Sequence, residues 1–196
     1  MSRDLEAAVA PVATALEALN VDYYLAGSVI SSLFGVARAT ADVDVVAALR
    51  REHAKPLVAM LGDDYYADED MALDAIARRS MFNVIHLSTM LKVDVYVAGT
   101  AFDRSALDRR QRDTIVVEQP AKAFSIASAE DVVLHKLRWF RDGGEVSDRQ
   151  WGDILGVLRV QRALDLEFMR RWAADLGVAD LLERALEEAS QPPRPR

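Results

Sequence analysis

A pair of aspartates inside a strongly apolar stretch, Asp42-Val43-Asp44-Val45-Val46, constrains this chain more than any other feature. The β-branched residues predict a strand, and the two-residue period of a strand places Asp42 and Asp44 on one face with Val43 and Val45 on the other. Two like charges side by side on one strand repel each other, so the arrangement is costly unless a cation lies between them. The stretch therefore predicts a strand with a polar face that could bind a cation, and a plain strand edge or turn is the alternative for the pair taken alone.

A glycine–serine pair upstream is a second candidate for ligand binding. The apolar segment Tyr23–Ala26 predicts a short strand that ends at Gly27 and Ser28, and thirteen residues separate this pair from Asp42. A helix-like apolar segment follows, so the pair lies at a helix N-terminus, whose backbone N–H groups stabilise anions. Glycine also lets a phosphate approach the backbone closely. The pair is a candidate phosphate-binding turn, and a plain turn is the alternative.

A third aspartate, Asp94, lies in another alternating stretch. Valines alternate with polar residues across Leu91–Val97, and the apolar stretch 81–87 is near enough in sequence to form a hairpin with it. If this strand lies next to the one that carries Asp42 and Asp44, three carboxylates converge on one face of the sheet.

Such an oxygen-only cluster has a specific chemistry. Carboxylates are ligands that Mg²⁺ and Mn²⁺ prefer, and these ions share their coordination with substrate phosphates. Two such ions can activate an attacking oxygen and stabilise a leaving pyrophosphate. A phosphate-binding turn beside metal-binding carboxylates supplies the groups that phosphoryl or nucleotidyl transfer requires.

A lysine in an apolar helical stripe also needs explanation. Val132, Lys136 and Phe140 follow one another at four-residue steps, which places the lysine on the inward face of a helix. A buried ammonium group without a partner is costly. Either a carboxylate meets Lys136, or the lysine borders a cleft and meets a phosphate.

Composition sets broad limits on the class of protein. The chain has 196 residues, of which 51% are hydrophobic, and a formal net charge of −7. The charge excludes a basic field over the whole molecule, so nonspecific nucleic-acid binding is not expected. No cysteine is present, which excludes thiolate metal sites and cysteine nucleophiles. No apolar segment approaches the length that spans a membrane, and we expect a cytoplasmic protein without a membrane partner.

The hydrophobic pattern changes near residue 120 and predicts the α+β class, with a small mixed β-sheet flanked by helices and followed by a helical bundle. We predict a catalytic α/β domain over residues 1–120, a helical domain over 121–190 and a disordered tail over 191–196. Smaller predictions are a charged helix over 103–112 and an edge strand over Thr114–Val117. No element is assigned to residues 63–80.

The motifs together resemble the signature of the polymerase-β-type nucleotidyltransferase superfamily. Gly27-Ser28, the gap of thirteen residues, Asp42-x-Asp44 and the later Asp94 carry the resemblance. The details are similar to bacterial stand-alone members, including the AbiEii-like toxins of abortive-infection and toxin–antitoxin systems. The further matches are the lead-in Arg38-x-Thr40, the lysine of Lys92-Val93-Asp94, the third motif Glu130-Asp131 with Lys136, and a loose fourth motif from Asp148 to Asp153.

The resemblance covers roughly residues 20–155 and implies a role for each matched residue. The three aspartates would bind the metal ions and carry the catalysis, with Asp94 helping to deprotonate an acceptor hydroxyl. The residues expected to bind the nucleotide are Gly27, Ser28, Arg38, Thr40, Lys92 and Lys136.

The implied activity is a Mg²⁺-dependent (or Mn²⁺-dependent) nucleotidyltransferase that moves a nucleoside monophosphate from an NTP to an acceptor hydroxyl and releases pyrophosphate. RNA, in particular a tRNA 3′ end, or a protein is the expected acceptor, in a toxin–antitoxin or defence setting with a cognate antitoxin as partner. The alternatives are a small-molecule enzyme of the aminoglycoside nucleotidyltransferase type and a non-catalytic relative that binds nucleotide.

Several of these residues also have plainer interpretations. Arg38 and Thr40 suit structural roles, and Asp94 suits a salt bridge to Lys92 or Arg38. Asp148 and Asp153 are expected to be a solvated or capping pair. A possible RNA-binding patch, for which a solvated helix face is the simpler alternative, comprises Arg159, Arg162, Arg170 and Arg171.

Overall fold

The computed structural model of the protein describes residues 3–116 and 122–191. The helices in these ranges are α1 (Arg3–Ala18), α2 (Gly27–Phe34), α3 (Arg51–Leu61), α4 (Glu69–Arg78), α5 (Ala101–Arg109), α6 (Ala129–Asp142), α7 (Asp148–Val160), α8 (Leu166–Asp175) and α9 (Ala179–Ser190). The strands are β1 (Tyr23–Ala26), β2 (Asp42–Ala47), β3 (Tyr65–Tyr66), β4 (Met81–His86), β5 (Leu91–Val97), β6 (Gln111–Thr114) and β7 (Ala123–Ile126).

The described strands form one mixed sheet in the order β3-β4-β5-β2-β1-β7-β6. Neighbouring strands β2 and β5 run parallel, as do β1 and β7, whereas β1 is antiparallel to β2 and β4 is antiparallel to β5. The interior strand β1, which pairs with β2 and β7, is buried along its whole length. This pattern confirms the predicted α+β class, a mixed sheet flanked by helices and followed by a helical bundle.

The chain divides into two compact units. The first, the sheet unit, contains Met1–Val29 and Ala39–Ala127, and the second, the helical unit, contains Ile30–Arg38 and Ser128–Arg196. The predicted division at residue 120 differs from this one, because β7 belongs with the sheet and residues 30–38 belong with the helices. Of the predicted tail over 191–196, residues 192–196 lie outside the described part.

In the sheet unit, helices pack against the strands. Helix α1 packs against α3, β2 and β5 through a stripe of buried residues that follows the helical period, which burial of apolar surface stabilises. Tyr65, in the edge strand β3, donates a hydrogen bond of 2.8 Å from its hydroxyl to the backbone oxygen of Ala8. The segment that the sequence left unassigned contains most of a 3₁₀ turn (Gly62–Asp64), the strand β3 and the whole of α4.

The end of α5 differs from the prediction. A reciprocal pair of hydrogen bonds fixes its start, with the Thr100 hydroxyl accepting from the Asp103 backbone and the Asp103 carboxylate accepting from the Thr100 backbone. The helix ends at Arg109 because Arg110 has a non-helical backbone, with φ −53° and ψ 144°. The predicted helix to residue 112 is therefore too long. The prediction placed an edge strand over Thr114–Val117, whereas the structure shows the strand β6 earlier, at Gln111–Thr114. Val117 lies outside the described residues.

The helical unit contains α6 to α9, which pack against one another. Glycines allow close backbone contacts there, since a Cβ atom on Gly35 would lie 2.7 Å from the backbone nitrogen of Val157. This contact explains why residues 30–38 join the helices. Across the described residues, none of the helices has both the length and the apolar character needed to cross a bilayer.

Candidate active site

The register of two parallel strands brings the predicted carboxylates together. In the pairing of β2 with β5, Asp44 lies opposite Asp94, and Asp42 lies opposite Lys92. Adjacent strands are about 4.8 Å apart, and residues two positions apart share a face, so these four side chains form one group on one face. The condition set by the sequence, that the two strands be neighbours, is met. We call Asp42, Asp44 and Asp94 the carboxylate cluster.

Two polar side chains contact carboxylate oxygens of the cluster. The Thr40 hydroxyl donates a hydrogen bond of 2.6 Å to Oδ1 of Asp42. Nζ of Lys92 lies 2.8 Å from Oδ2 of Asp94. Asp94 is only 5% exposed, and within the described residues its Oδ1 atom is buried without a hydrogen-bond partner. A buried carboxylate oxygen in this state is a candidate ligand atom, because polar atoms are rarely buried without a partner.

The cluster creates a negative field that acts on its neighbours. The pKa of Lys92 is raised, first by the hydrogen bond to Asp94 and then by the charges of Asp94, Asp42 and Asp44, which outweigh the opposing effect of burial. Burial raises the pKa of Tyr96, and the same three aspartates raise it further. Because all three carboxylates act on both residues, they form one electrostatic unit that favours bound cations.

Gly27 contacts this cluster directly. Its φ of +66° lies in the left-handed region, which glycine adopts without strain. A Cβ atom at this position would lie 1.6 Å from Oδ2 of Asp44, so any larger residue would have to displace that carboxylate. The sequence suggested a glycine that makes room for a phosphate, whereas the structure shows one that makes room for a carboxylate. Ser28 follows it in the first turn of α2.

Arg38 and Lys136, predicted to bind the nucleotide, share a carboxylate in the helical unit. Nζ of Lys136 lies 2.8 Å from Oδ2 of Asp153. Arg38 donates to both oxygens of the same carboxylate, from Nε at 2.8 Å and from Nη2 at 2.9 Å. Of the two alternatives for Lys136, the structure shows the carboxylate. We call Arg38, Lys136 and Asp153 the buried triad.

Asp153 corrects one prediction from the sequence. It is 9% exposed rather than solvated, and it caps no helix, since the N-cap of α7 is Ser147. Burial acts to raise the pKa of Asp153, but the hydrogen bonds from Arg38 and Lys136 outweigh it and hold the pKa below its usual value. The inward position of Lys136 was the signal that such a partner exists. The exposed Asp148 lies in the first turn of α7.

Part of the predicted arginine patch is engaged in local contacts. Arg170 forms a salt bridge of 2.7 Å with Glu183, and Arg159 donates to the backbone oxygen of Glu188 at 3.1 Å. The guanidinium group of Arg171 lies over the ring of Phe168. These contacts favour the solvated-face interpretation over a surface prepared for RNA.

The carboxylate cluster suits a divalent metal ion in its chemistry. Its side chains offer hard oxygens, and Oδ1 of Asp94, for which the described residues provide no hydrogen-bond partner, can accept a cation. In the described residues, however, no group of three or more histidine, cysteine or acidic side chains is arranged to hold a metal ion. Thr40 and Lys92 already contact one oxygen each of Asp42 and Asp94.

Comparison with known proteins identifies the fold. No protein-family model matches the chain, and no curated protein matches it either. An antigenic nucleotidyltransferase-like protein from Paracoccidioides brasiliensis is similar in structure, with a TM-score of 0.53 and 18% identity, over 95% of this chain and 93% of that one. The antibiotic-resistance factor ANT(2'')-Ia is also similar, with a TM-score of 0.52 and 16% identity, over 96% of each chain. At such low identity the likeness is one of fold, and the protein has a nucleotidyltransferase-like fold.

Proposed function

We propose that this protein is a Mg²⁺-dependent nucleotidyltransferase that transfers a nucleoside monophosphate from an NTP to an acceptor and releases pyrophosphate. The observation that carries the proposal is the register of β2 and β5, which sets Asp44 beside Asp94 with Asp42 on the same face. Three carboxylates grouped on a nucleotidyltransferase-like fold have a ready chemical use, whereas they are costly without one.

The carboxylates and the Gly27–Ser28 turn of the sheet-unit site have proposed roles. Asp42, Asp44 and Asp94 would hold the metal, which supplies charge neutralisation for the phosphates and activates the attacking oxygen when bound. Asp94 would also accept the proton of the attacking hydroxyl. The turn at Gly27 and Ser28 would bind the triphosphate through the N-terminus of α2.

The buried triad receives a different proposed role from the one the sequence suggested. Because Asp153 already pairs with Arg38 and Lys136, a phosphate would have to compete with a carboxylate for both cations. We assign Arg38 and Lys136 a structural role in the helical unit first. Nucleotide contact by either residue remains a prediction from the resemblance.

The direct test measures transfer of label. The protein is incubated with each of the four NTPs labelled at the α-phosphate, with Mg²⁺, and with total RNA, cell lysate protein or a panel of small hydroxyl compounds. We expect one acceptor class to become labelled, and the label to be lost without Mg²⁺ or in the Asp42→Ala variant. No transfer together with no NTP binding would refute the proposal, and binding without turnover would favour a non-catalytic relative.

Two classes of acceptor are candidates. One is a macromolecule, either RNA or a protein, and the other is a small molecule. The resemblance to AbiEii-like toxins supports RNA, such as tRNA, or a protein, in the cytoplasm and with a cognate antitoxin. The likeness to the antibiotic-resistance factor ANT(2'')-Ia over 96% of the chain supports a small molecule, as do the local pairs formed by Arg159 and Arg170. The species that takes up the label separates the two.

A further inference from the structure

Lys92 lies where a cation neutralises the carboxylate cluster. It faces Asp42 across the parallel pairing of β2 and β5, and its Nζ atom contacts Oδ2 of Asp94 at 2.8 Å. Asp44 lies beside Asp94 in the same register. The ammonium group therefore lies at the carboxylate cluster and carries the same sign of charge as a metal ion that the cluster would attract.

The protein needs this charge when no metal ion is bound. Asp94 is almost fully buried, and a buried carboxylate next to a second carboxylate is destabilising unless a cation pairs with it. Lys92 supplies that cation from within the same strand. Replacing it with a neutral side chain would leave the carboxylates of the cluster to repel one another.

Lys92 can also leave the cluster easily, unlike the lysine of the buried triad. The Lys92 side chain is 41% exposed, whereas that of Lys136 is 3% exposed. A lysine side chain is long and flexible, so an exposed one can move its charged end into water without losing much packing. The pair with Asp94 is therefore a contact that can be exchanged.

We propose that Lys92 is a built-in counter-ion, which stabilises the metal-free carboxylate cluster and is displaced from Asp94 when a divalent ion binds. This inference rests on the proposed function, since it concerns the same metal site. A metal ion that binds at Asp94 must first replace the Lys92 ammonium group, so Lys92 weakens the affinity of the cluster for the free ion. The same exchange explains why the carboxylates and Lys92 lie together in a site whose chemistry suits a metal.

The test measures metal binding without nucleotide, by titrating Mn²⁺ and following the free ion by electron paramagnetic resonance. The variant Lys92→Met keeps the length of the side chain and removes its charge, and Lys55→Met on the exposed face of α3 is the matched control. We expect Lys92→Met to bind Mn²⁺ about three- to tenfold more tightly than the wild type, from the loss of one opposing charge at a partly exposed site. The control should bind as the wild type does.

Thermal unfolding is a second measurement, and it does not depend on catalytic activity. In EDTA, Lys92→Met should melt at a lower temperature than the wild type, and saturating Mn²⁺ should raise its melting temperature by more than it raises that of the wild type. Lys92→Arg, which restores the positive charge, should recover the stability in EDTA and bind Mn²⁺ no more tightly than the wild type.

The outcomes separate this inference from the proposed function. If the wild type binds Mn²⁺ and Lys92→Met binds it equally, the counter-ion role is wrong while the metal site stands. Equal Mn²⁺ affinity with weaker NTP binding would instead assign Lys92 to the nucleotide and overturn the inference. Tighter binding by Lys92→Arg would also overturn it. A wild type that binds no Mn²⁺ would refute the metal site and the inference together.

Discussion

The carboxylate cluster of the sheet unit and the buried triad of the helical unit use the same residue types with opposite balances of charge. In the cluster three aspartates accompany one cation, Lys92, which contacts Asp94, whereas in the triad one aspartate contacts two cations. The triad is saturated: both oxygens of Asp153 accept hydrogen bonds. In the cluster, Oδ1 of Asp94 has no hydrogen-bond partner among the described residues. A saturated group of charges is suited to holding structure, and an unsaturated one to binding a ligand.

The largest expected contrast is in activity. Asp44→Asn removes a charge from the cluster with little change in shape, and we expect nucleotidyl transfer to fall by about 10²–10³-fold or more. The unfolding free energy in EDTA should be unchanged or higher, because one like charge is lost. Transfer assays and denaturant melts check both, with the exposed Asp63→Asn as control. A large loss of unfolding free energy in Asp44→Asn would contradict this expected difference between the cluster and the triad.

The triad should respond in the reverse way. Asp153→Ala leaves Lys136 and Arg38 without their carboxylate, and removal of one partner of a buried pair costs about 3–5 kcal/mol of unfolding free energy. Urea melts followed by circular dichroism measure this loss. The transfer rate of the fraction that remains folded should change less than in Asp44→Asn. If Asp153→Ala unfolds at the same urea concentration as the wild type, the triad does not stabilise the fold.

Gly27 tests how tightly the cluster is built. In Gly27→Ala the new methyl group must displace the Asp44 carboxylate, and the φ of +66° adds a backbone cost of about 1–2 kcal/mol. We expect reduced transfer, weaker Mn²⁺ binding and a small loss of stability. Gly152→Ala is the matched control, because a Cβ atom there meets nothing within 4 Å. Normal metal binding by Gly27→Ala would show that the position of Asp44 is not critical.

The smallest effect concerns pH. The pKa of Asp153 is lowered in the folded state, so the triad contributes stability above the unfolded pKa of about 3.9 and loses it as pH falls through the lower, folded pKa. Asp153→Asn should therefore flatten the acid limb of a plot of unfolding free energy against pH. Parallel acid limbs for the variant and the wild type would contradict the assignment of the charge to Asp153.

The sequence predicted the cluster better than the triad, for a physical reason. The two-residue period of β2 and β5 fixes which side chains share a face, so Asp42, Asp44 and Asp94 could be grouped once the strands were assumed to be neighbours. The partner of Lys136 depends on how α6 and α7 pack and on where Arg38 lies. Helical periodicity shows only that Lys136 points inward.

Two other features of the fold could not be predicted from the sequence. The strand β7 is four residues long, and its parallel pairing with β1 joins segments distant along the chain, which local patterns do not reveal. Residues 30–38 join the helical unit through contacts such as that of Gly35 with Val157, which follow from tertiary packing. The nucleotidyltransferase-like fold was predictable because its motifs are short and lie in regular elements.

The span of the triad along the chain has a consequence for how the protein folds. Lys136 and Asp153 are 17 residues apart, whereas Arg38 and Asp153 are 115 apart, and contacts between distant segments form slowly because a long loop must close first. We expect α6 and α7 to meet early and Arg38 to join last. Arg38→Met should then accelerate unfolding while leaving the rate of refolding nearly unchanged, the behaviour of a contact that is absent from the transition state.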